Sequence, residues 1–287
     1  MKKFLATICA AALLITGCGG EKVADKPAAD AETSTVKKLG MITHLNTDEK
    51  SMGENLDKVA ENAGVKGTKH LPKFYDSLKL MQLGVESGDI EAISTYKSVA
   101  DYIVSRNDKF EIVPYDAINK IQDSFCFAVR KDDAALKADL DKAIEEMKTD
   151  GSLDKLINDY ITNVSKDNGP PKVDIPEIDG ADTIKVGVTG DLPPLDLILS
   201  DNSPAGFNTA MLAEIAKRSN KNIEIVQIEA GARAAALSSK LIDVVFWVIV
   251  PLGKDFPIDI DKPEGVELSA PYFKDNLAVV KFKESRK

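Results

Sequence analysis

The side chains able to do chemistry in this chain are few and widely spaced. There are three cysteines and two histidines. Cys9 sits in an apolar run, Cys18 follows Thr16 and Gly17, and Cys126 lies in Ser124-Phe-Cys-Phe-Ala-Val129, an apolar stretch bounded by charged residues. A thiol in such a stretch reads as buried and inert, because the thiolate is the reactive form and apolar surroundings disfavour it. His44 and His70 stand apart, with no metal-ligand spacing around them. The chain carries no Gly-rich phosphate loop and no nucleophile signature around a serine or cysteine. The sequence therefore predicts neither an enzyme, nor a cofactor, nor a metal site. It leaves binding as the chemistry to look for.

Cys18 stands at a telling place. Lys2 and Lys3 precede an apolar run from Phe4 to Ile15, which ends in Thr16-Gly17-Cys18. A charged start, an apolar stretch too short to span a bilayer and small residues at its end describe a secretory leader. Ile15-Thr-Gly-Cys18 resembles the bacterial lipobox, and that resemblance implies cleavage before Cys18 and acylation of its thiol. An ordinary leader or a short core helix is the plainer alternative. Residues 1–17 are then the leader and 18–36 a tether, rich in Gly, Ala, Asp, Lys, Thr and Ser and without apolar periodicity. Such a segment buries too little apolar surface to offset its ordering entropy. The expected location is the cell envelope, outside the cytoplasm, with the lipid as the link to the membrane.

Composition bounds the rest. With 44% hydrophobic and 29% charged residues, the body reads as an ordinary globular chain of one large domain or two modest ones. The formal charge is −9, and the leader takes two lysines and no acid with it, so the remainder is more acidic still. That balance argues against nucleic acid and anionic surfaces as partners. With Cys9 and Cys18 accounted for, no internal disulfide is available and a core must hold the fold.

Any site must be held by elements that alternate between strand and helix. Strands are expected at Leu39–Thr43, Ile90–Thr95, Phe125–Val129, Ile184–Thr189, Ile223–Ile228 and Val244–Val250. Between them, apolar residues recur on one helical face: Leu78, Met81 and Val85; Leu136, Leu140, Ala143 and Met147; Met211, Leu212 and Ile215. Thr47 is expected to cap one helix and Asp76 to open another. Ser165 to Pro176 reads as an extended linker. Alternation of this kind predicts an α/β fold with mostly parallel sheets flanked by helices. The unit Ser77–Thr95 is also weakly similar to Ala232–Trp247, which suggests two lobes of like build.

Several segments are similar to the bacterial extracellular solute-binding family that serves amino-acid ABC importers. Val186-Gly-Val-Thr-Gly-Asp-Leu-Pro-Pro-Leu195, Gly206-Phe207, Leu241-Ile-Asp243 and Ser269-Ala-Pro-Tyr-Phe273 resemble pieces from that family's beginning. Ser87-Gly-Asp-Ile-Glu-Ala92, Phe127-Ala-Val-Arg-Lys-Asp132 and Lys148-Thr-Asp-Gly-Ser-Leu-Asp-Lys155 resemble pieces from its end. The order is reversed, which a circular permutation explains most simply; a domain-swapped dimer or two truncated modules are the alternatives. The resemblance implies a two-lobed periplasmic-binding-protein type 2 fold with a hinge. On that reading residues 37–115 form the second lobe and 116–162 the last part of the first lobe. Residues 163–181 link them to 182–287, the first lobe's beginning, which ends at the hinge. It also implies a small polar solute, an amino acid or related compound, held between the lobes and passed to an ABC permease. The rival expectation is a lipoprotein of the same fold that acts as a sensor or protein-interaction module.

The resemblance also places candidate ligand contacts. The family's carboxylate-clamping arginine has no counterpart in Phe246-Trp-Val-Ile-Val-Pro-Leu-Gly-Lys254, where Lys254 offers a point charge but no bidentate fork. The family's ammonium-binding acid falls at Tyr96. Arg233 matches a position that some relatives use for ligand contact, although a solvated helix charge explains it as well. Asp191 and Leu195 fall in a loop that lines the family's cleft, and Thr43, Asn46 and Thr47 in the matching loop of the other lobe. Turn and cap roles explain those last three equally well. Trp247 ends or lies within an apolar strand, where core packing is the default, although relatives often place cleft residues at that strand's end.

Overall fold

The computed structural model describes residues 35–164 and 169–283. The leader, Cys18 and all but the last two residues of the tether lie outside the described residues, as do residues 165–168 of the linker.

The first five elements are β1 (Thr35–Ile42), α1 (Glu49–Asn62), β2 (Thr68–Tyr75), α2 (Leu78–Glu86) and β3 (Ala92–Tyr96). Met52, Leu56 and Val59 give α1 one buried face. Its cap is Asp48, not Thr47: the Asp48 carboxylate accepts the Ser51 N–H at 2.7 Å. Ser77, not Asp76, caps α2, through the Leu80 N–H at 3.2 Å. All five residues of β3 are buried, as befits a strand covered on both faces. Then come α3 (Lys97–Arg106), β4 (Phe110–Val113), α4 (Asp116–Asn119), β5 (Gln122–Arg130), α5 (Ala134–Thr149) and α6 (Ser152–Ile157).

Past the linker the same alternation resumes. It runs β6 (Thr183–Val188), the short ladder β7 (Asp191–Leu192), β8 (Asp196–Ile198) and β9 (Pro204–Ala205), then α7 (Phe207–Ser219) and β10 (Asn222–Gln227). A single 3₁₀ turn at Ala230–Ala232 leads into α8 (Arg233–Ser238), followed by β11 (Val244–Leu252), β12 (Val266–Leu268) and β13 (Phe273–Phe282).

One ten-stranded sheet runs β10-β6-β11-β5-β13-β3-β1-β2, with β12 added to β5 and β4 to β13. Each end of it is a parallel wing. β2-β1-β3 pairs parallel at one end and β10-β6-β11 at the other, so both wings place their first strand between their second and third. The internal likeness read from the sequence is thus a repeated strand order. The fold is mixed α/β, parallel in the wings and antiparallel where the wings meet.

Two strands make that junction. β13 pairs with β5 through Phe273–Asn276, then with β3 through Leu277–Val280. β5 runs antiparallel to β11 on its other side. The crossing is pinned by Leu277 N–H to the Ile121 carbonyl at 2.9 Å and by Gln122 Nε2 to Asn276 Oδ1 at 3.1 Å. Helices α5 and α6, before the linker, pack on α7, after it. Arg218 of α7 reaches Asp150 at 2.8 Å across that seam. Among the described residues, no helix is long and apolar enough to cross a membrane.

Candidate functional site

In a parallel sheet the loops that follow the strands gather at one edge, where α/β proteins commonly bind ligands. Here the carboxyl ends of the two wings lie against one another. The loop after β1 and the end of β3 come from one side, and the loop after β6 and the length of β11 from the other. The strands β5 and β13 cross beneath them. Between the wings is a cavity of about 40 Å³, walled largely by apolar side chains. At about 10–15 Å³ for one water-sized sphere, that is room for a few waters.

Its polar and aromatic lining is short: His44, Ser94, Thr95, Tyr96, Asp123, Trp247 and Phe256. Tyr96, Phe125 and Trp247 pack edge-on or tilted, with the Tyr96 and Trp247 rings 6.1 Å apart and nearly perpendicular. Three buried polar atoms around this cavity lack a hydrogen-bond partner: Ser94 Oγ, Asp123 Oδ1 and Trp247 Nε1. Other buried atoms without a partner, such as Asp191 Oδ1 and Asn208 Nδ2, lie elsewhere, and what distinguishes these three is that they gather at one cavity. Asp123 is 2% exposed, and burial pushes its carboxyl up to about 7, against a smaller opposing effect of His44 and a hydrogen bond from Tyr96.

Around the cavity, side chains of one wing bind the backbone of the other. Asp261, fully buried, accepts the Leu45 N–H at 2.7 Å and the Ile249 N–H at 3.2 Å, with His44 Nδ1 at 3.3 Å. Asp76 Oδ1 accepts the Gly231 N–H at 2.9 Å and the Thr43 hydroxyl at 3.1 Å. Asp191 accepts the Leu78 N–H at 2.7 Å, and burial raises its carboxyl to about 6. Asn46 Nδ2 donates to the Asp259 carbonyl at 3.3 Å. The loop bearing Asp191 is itself held by Asp196, whose carboxylate gathers the Thr189 and Gly190 N–H groups, each at 3.0 Å.

Arg233 is the largest correction to the sequence reading. It is 1% exposed, not a solvated helix charge. Nor is it an open carboxylate clamp, since its donors go to three carbonyls: Ala230 at 3.0 Å, Trp247 at 3.1 Å and Thr43, in the opposite wing, at 2.8 Å. Its guanidinium lies 4.5 Å from the Trp247 ring centroid, and burial lowers its pKa. Of the other candidates, Tyr96 and Trp247 line the cavity, whereas Thr43, Asn46, Thr47, Asp191 and Leu195 do not. Thr43, Asn46 and Asp191 instead join the wings, and Leu195 is wholly buried. Lys254 is exposed and stands apart from the cavity. Asp123, Asp261 and Ser94 were not foreseen as site residues. Asp123 is marked in the sequence as unusual, an acid heading the apolar run of β5, but nothing in that run places it at a site.

Residues 75–163 and 184–286 match the bacterial extracellular solute-binding proteins, family 3. The chain belongs to that family. The two matched blocks contain Tyr96, Asp123, Trp247 and Phe256, so this family 3 protein carries most of its cavity lining within the matched residues. Solved structures with a similar fold include three worth naming. The zinc-bound ligand-binding component of an ABC-type import system from Staphylococcus aureus is 12% identical over 86% of this chain and 66% of that one (TM-score 0.42). A pheromone cOB1 precursor/lipoprotein of the YaeC family from Enterococcus faecalis is 14% identical over 87% and 86% (0.42). The methionine-binding protein MetQ is 13% identical over 86% and 83% (0.38). No curated protein matches the sequence.

Proposed function

We propose that this family 3 protein is the capture component of an ABC-type uptake system, anchored outside the cytoplasm by lipid on Cys18. A small solute occupies the cavity between the wings, and a permease receives it when the wings part about the β5–β13 crossing. The observation that carries this reading is the set of three unpartnered buried polar atoms around a cavity formed by both wings. On the same reading the chain is a circular permutant of its family, with residues 37–162 in place of the usual end and residues 182–287 in place of the usual beginning. The topology supports this, because β5 and α5 complete a wing whose other strands all follow the linker.

Trp247 is the one tryptophan in the chain, so its emission reports on the cavity without a label. A solute screen spanning amino acids, small carboxylates, amines and sugars, read by Trp247 emission and thermal shift, tests the capture reading. A solute at a hundred times its dissociation constant stabilises by about 2.7 kcal/mol, roughly 5–10 °C for a domain of this size. If nothing in the screen moves either signal, the capture reading is wrong.

A further inference from the structure

The cavity lining holds one acid, Asp123, and one histidine, His44, whose Nδ1 lies 3.3 Å from Asp261. No lysine or arginine is among its lining residues. Arg233, the nearest buried cation, has its donors committed to three carbonyls, one of them that of Trp247 itself. A carboxylate entering the cavity would therefore leave water without meeting a free cation, and desolvating an ion without a partner is among the costliest events in a protein.

The acids near Asp123 differ in how they are used. On the loop before β12, Asp261 has both oxygens engaged with backbone N–H groups of the two wings. On β13, Asp275 accepts the Ser98 N–H at 3.0 Å and the Asn276 N–H at 2.8 Å. From the loop after β1 comes His44, at 3.3 Å from Asp261, and from the end of β3 comes Tyr96, which lines the cavity with Asp123. Of the three carboxylates, only Asp123 keeps a buried oxygen without a partner. Beside it stand the rings of Trp247, Tyr96 and Phe256, which suit the flank of a cation. Trp247 Nε1 is an unused donor and Ser94 Oγ an unused hydroxyl, so a neutral acceptor on the ligand would also find a partner.

Building on the capture reading above, we infer that the solute is a compact organic ammonium with an apolar body, a neutral oxygen acceptor and no carboxylate. Its ammonium pairs with Asp123 Oδ1, its body lies among the rings, and its oxygen accepts from Trp247 Nε1. An amino alcohol has this chemistry, and a standard α-amino acid does not.

One branched five-carbon skeleton, with the amine one carbon shorter, supplies the test. Valinol, isobutylamine, valine, isopentanol and isovalerate are titrated into the full chain, with Trp247 emission and calorimetry as readouts. Valinol is expected to bind at least tenfold more tightly than valine, with isobutylamine between them and the alcohol and acid without effect. Because the ammonium needs Asp123 ionised, valinol affinity should fall about tenfold for each pH unit below 7. Asp123→Asn should lose at least tenfold for valinol while keeping the wild-type circular dichroism. Valine binding as tightly as valinol, or valinol binding equally well to Asp123→Asn, overturns the assignment and leaves solute capture standing. Failure of the whole series also overturns it, and the broader screen then decides separately whether capture stands.

Discussion

Asp123 ought to make this protein less stable than it could be, and by an amount that depends on pH. The perturbation is Asp123→Asn, which keeps the shape and removes the charge. The folded carboxyl titrates near 7, against 3.8 for an unperturbed one, chiefly because burial disfavours the ion. The raised value fixes the sign: between those two pH values the folded chain holds a proton that the unfolded chain has released. Stability from this group is therefore complete below pH 4 and drains away as pH rises through 7. A rise from 3.8 to about 7 is worth roughly 4 kcal/mol, at about 1.4 kcal/mol for each tenfold change in the ionisation constant. Asparagine does not ionise, so the variant's advantage over wild type should grow by about 3 kcal/mol between pH 5 and pH 8, which corresponds to roughly 6–12 °C. Burial also raises Asp191, Asp196 and Asp275, but both proteins carry these, so the difference between the two melting curves isolates Asp123. The assay is calorimetric or circular-dichroism melting of both proteins across that range. A gap in melting temperature that stays the same from pH 5 to pH 8 would refute the reasoning, because a constant gap cannot come from an ionisation.

Other perturbations probe the wings and the anchor. Arg233→Met removes three buried donors and strands the Ala230, Trp247 and Thr43 carbonyls; it should destabilise by about 2–5 kcal/mol in urea unfolding. Loss of the Thr43 link should also enlarge the radius of gyration in small-angle scattering, and a variant unchanged in both measurements would show the guanidinium to be idle. Cys18→Ser should abolish labelling by a fatty-acid probe in a bacterial host, and unchanged labelling would end the lipid-anchor proposal. Placing residues 184–283 ahead of residues 37–162, joined by a flexible segment, should give a cooperatively melting protein with the parent's circular dichroism. A chain that fails to fold in that order would count against the permutation.

What could be read from the sequence follows from what each element asks of its own residues. The one-sided helices α1, α2 and α5 announce themselves because burial of a single face imposes a 3.6-residue period. The fully covered strands β3 and β11 do so through unbroken apolar runs. By contrast, β2 hides. It is an edge strand that pairs only with β1, so Pro72 and three lysine or histidine side chains fit within it and mask its pattern. The helix caps were each misplaced by one residue, Thr47 for Asp48 and Asp76 for Ser77, since adjacent polar residues compete for the same role and only geometry decides. Tyr96 and Trp247 could be placed near a cleft because each belongs to a strand with the right neighbours in sequence. Asp123 could not, because it enters on β5, the crossing strand, whose place between β11 and β13 is a property of the whole sheet. The engagement of Arg233 was beyond reach for a related reason: its partners belong to three separate segments, and one of them lies in the opposite wing.

On the capture reading, the contacts that join the wings and the atoms left for a solute belong to different side chains, and this separation sets the energetics of the site. Asp76, Asp191, Asp261 and Arg233 hold the wings together through backbone N–H and carbonyl groups. Those contacts are made within the protein and lie outside the cavity lining. The unpaired atoms of Ser94, Asp123 and Trp247 contribute nothing to holding the wings and have no partner of their own. A solute can shift the balance between open and closed wings only by the difference in its affinity for the two forms. Here that difference must come from satisfying the cavity's orphan atoms, while the cross-wing bonds lower what the solute has to supply. When the binding-competent form is already well populated, little affinity is lost to selecting it. A ligand of few atoms, too small to hold two lobes together by its own contacts, can then be bound usefully, and a cavity of about 40 Å³ between bonded wings is suited to a ligand of that size.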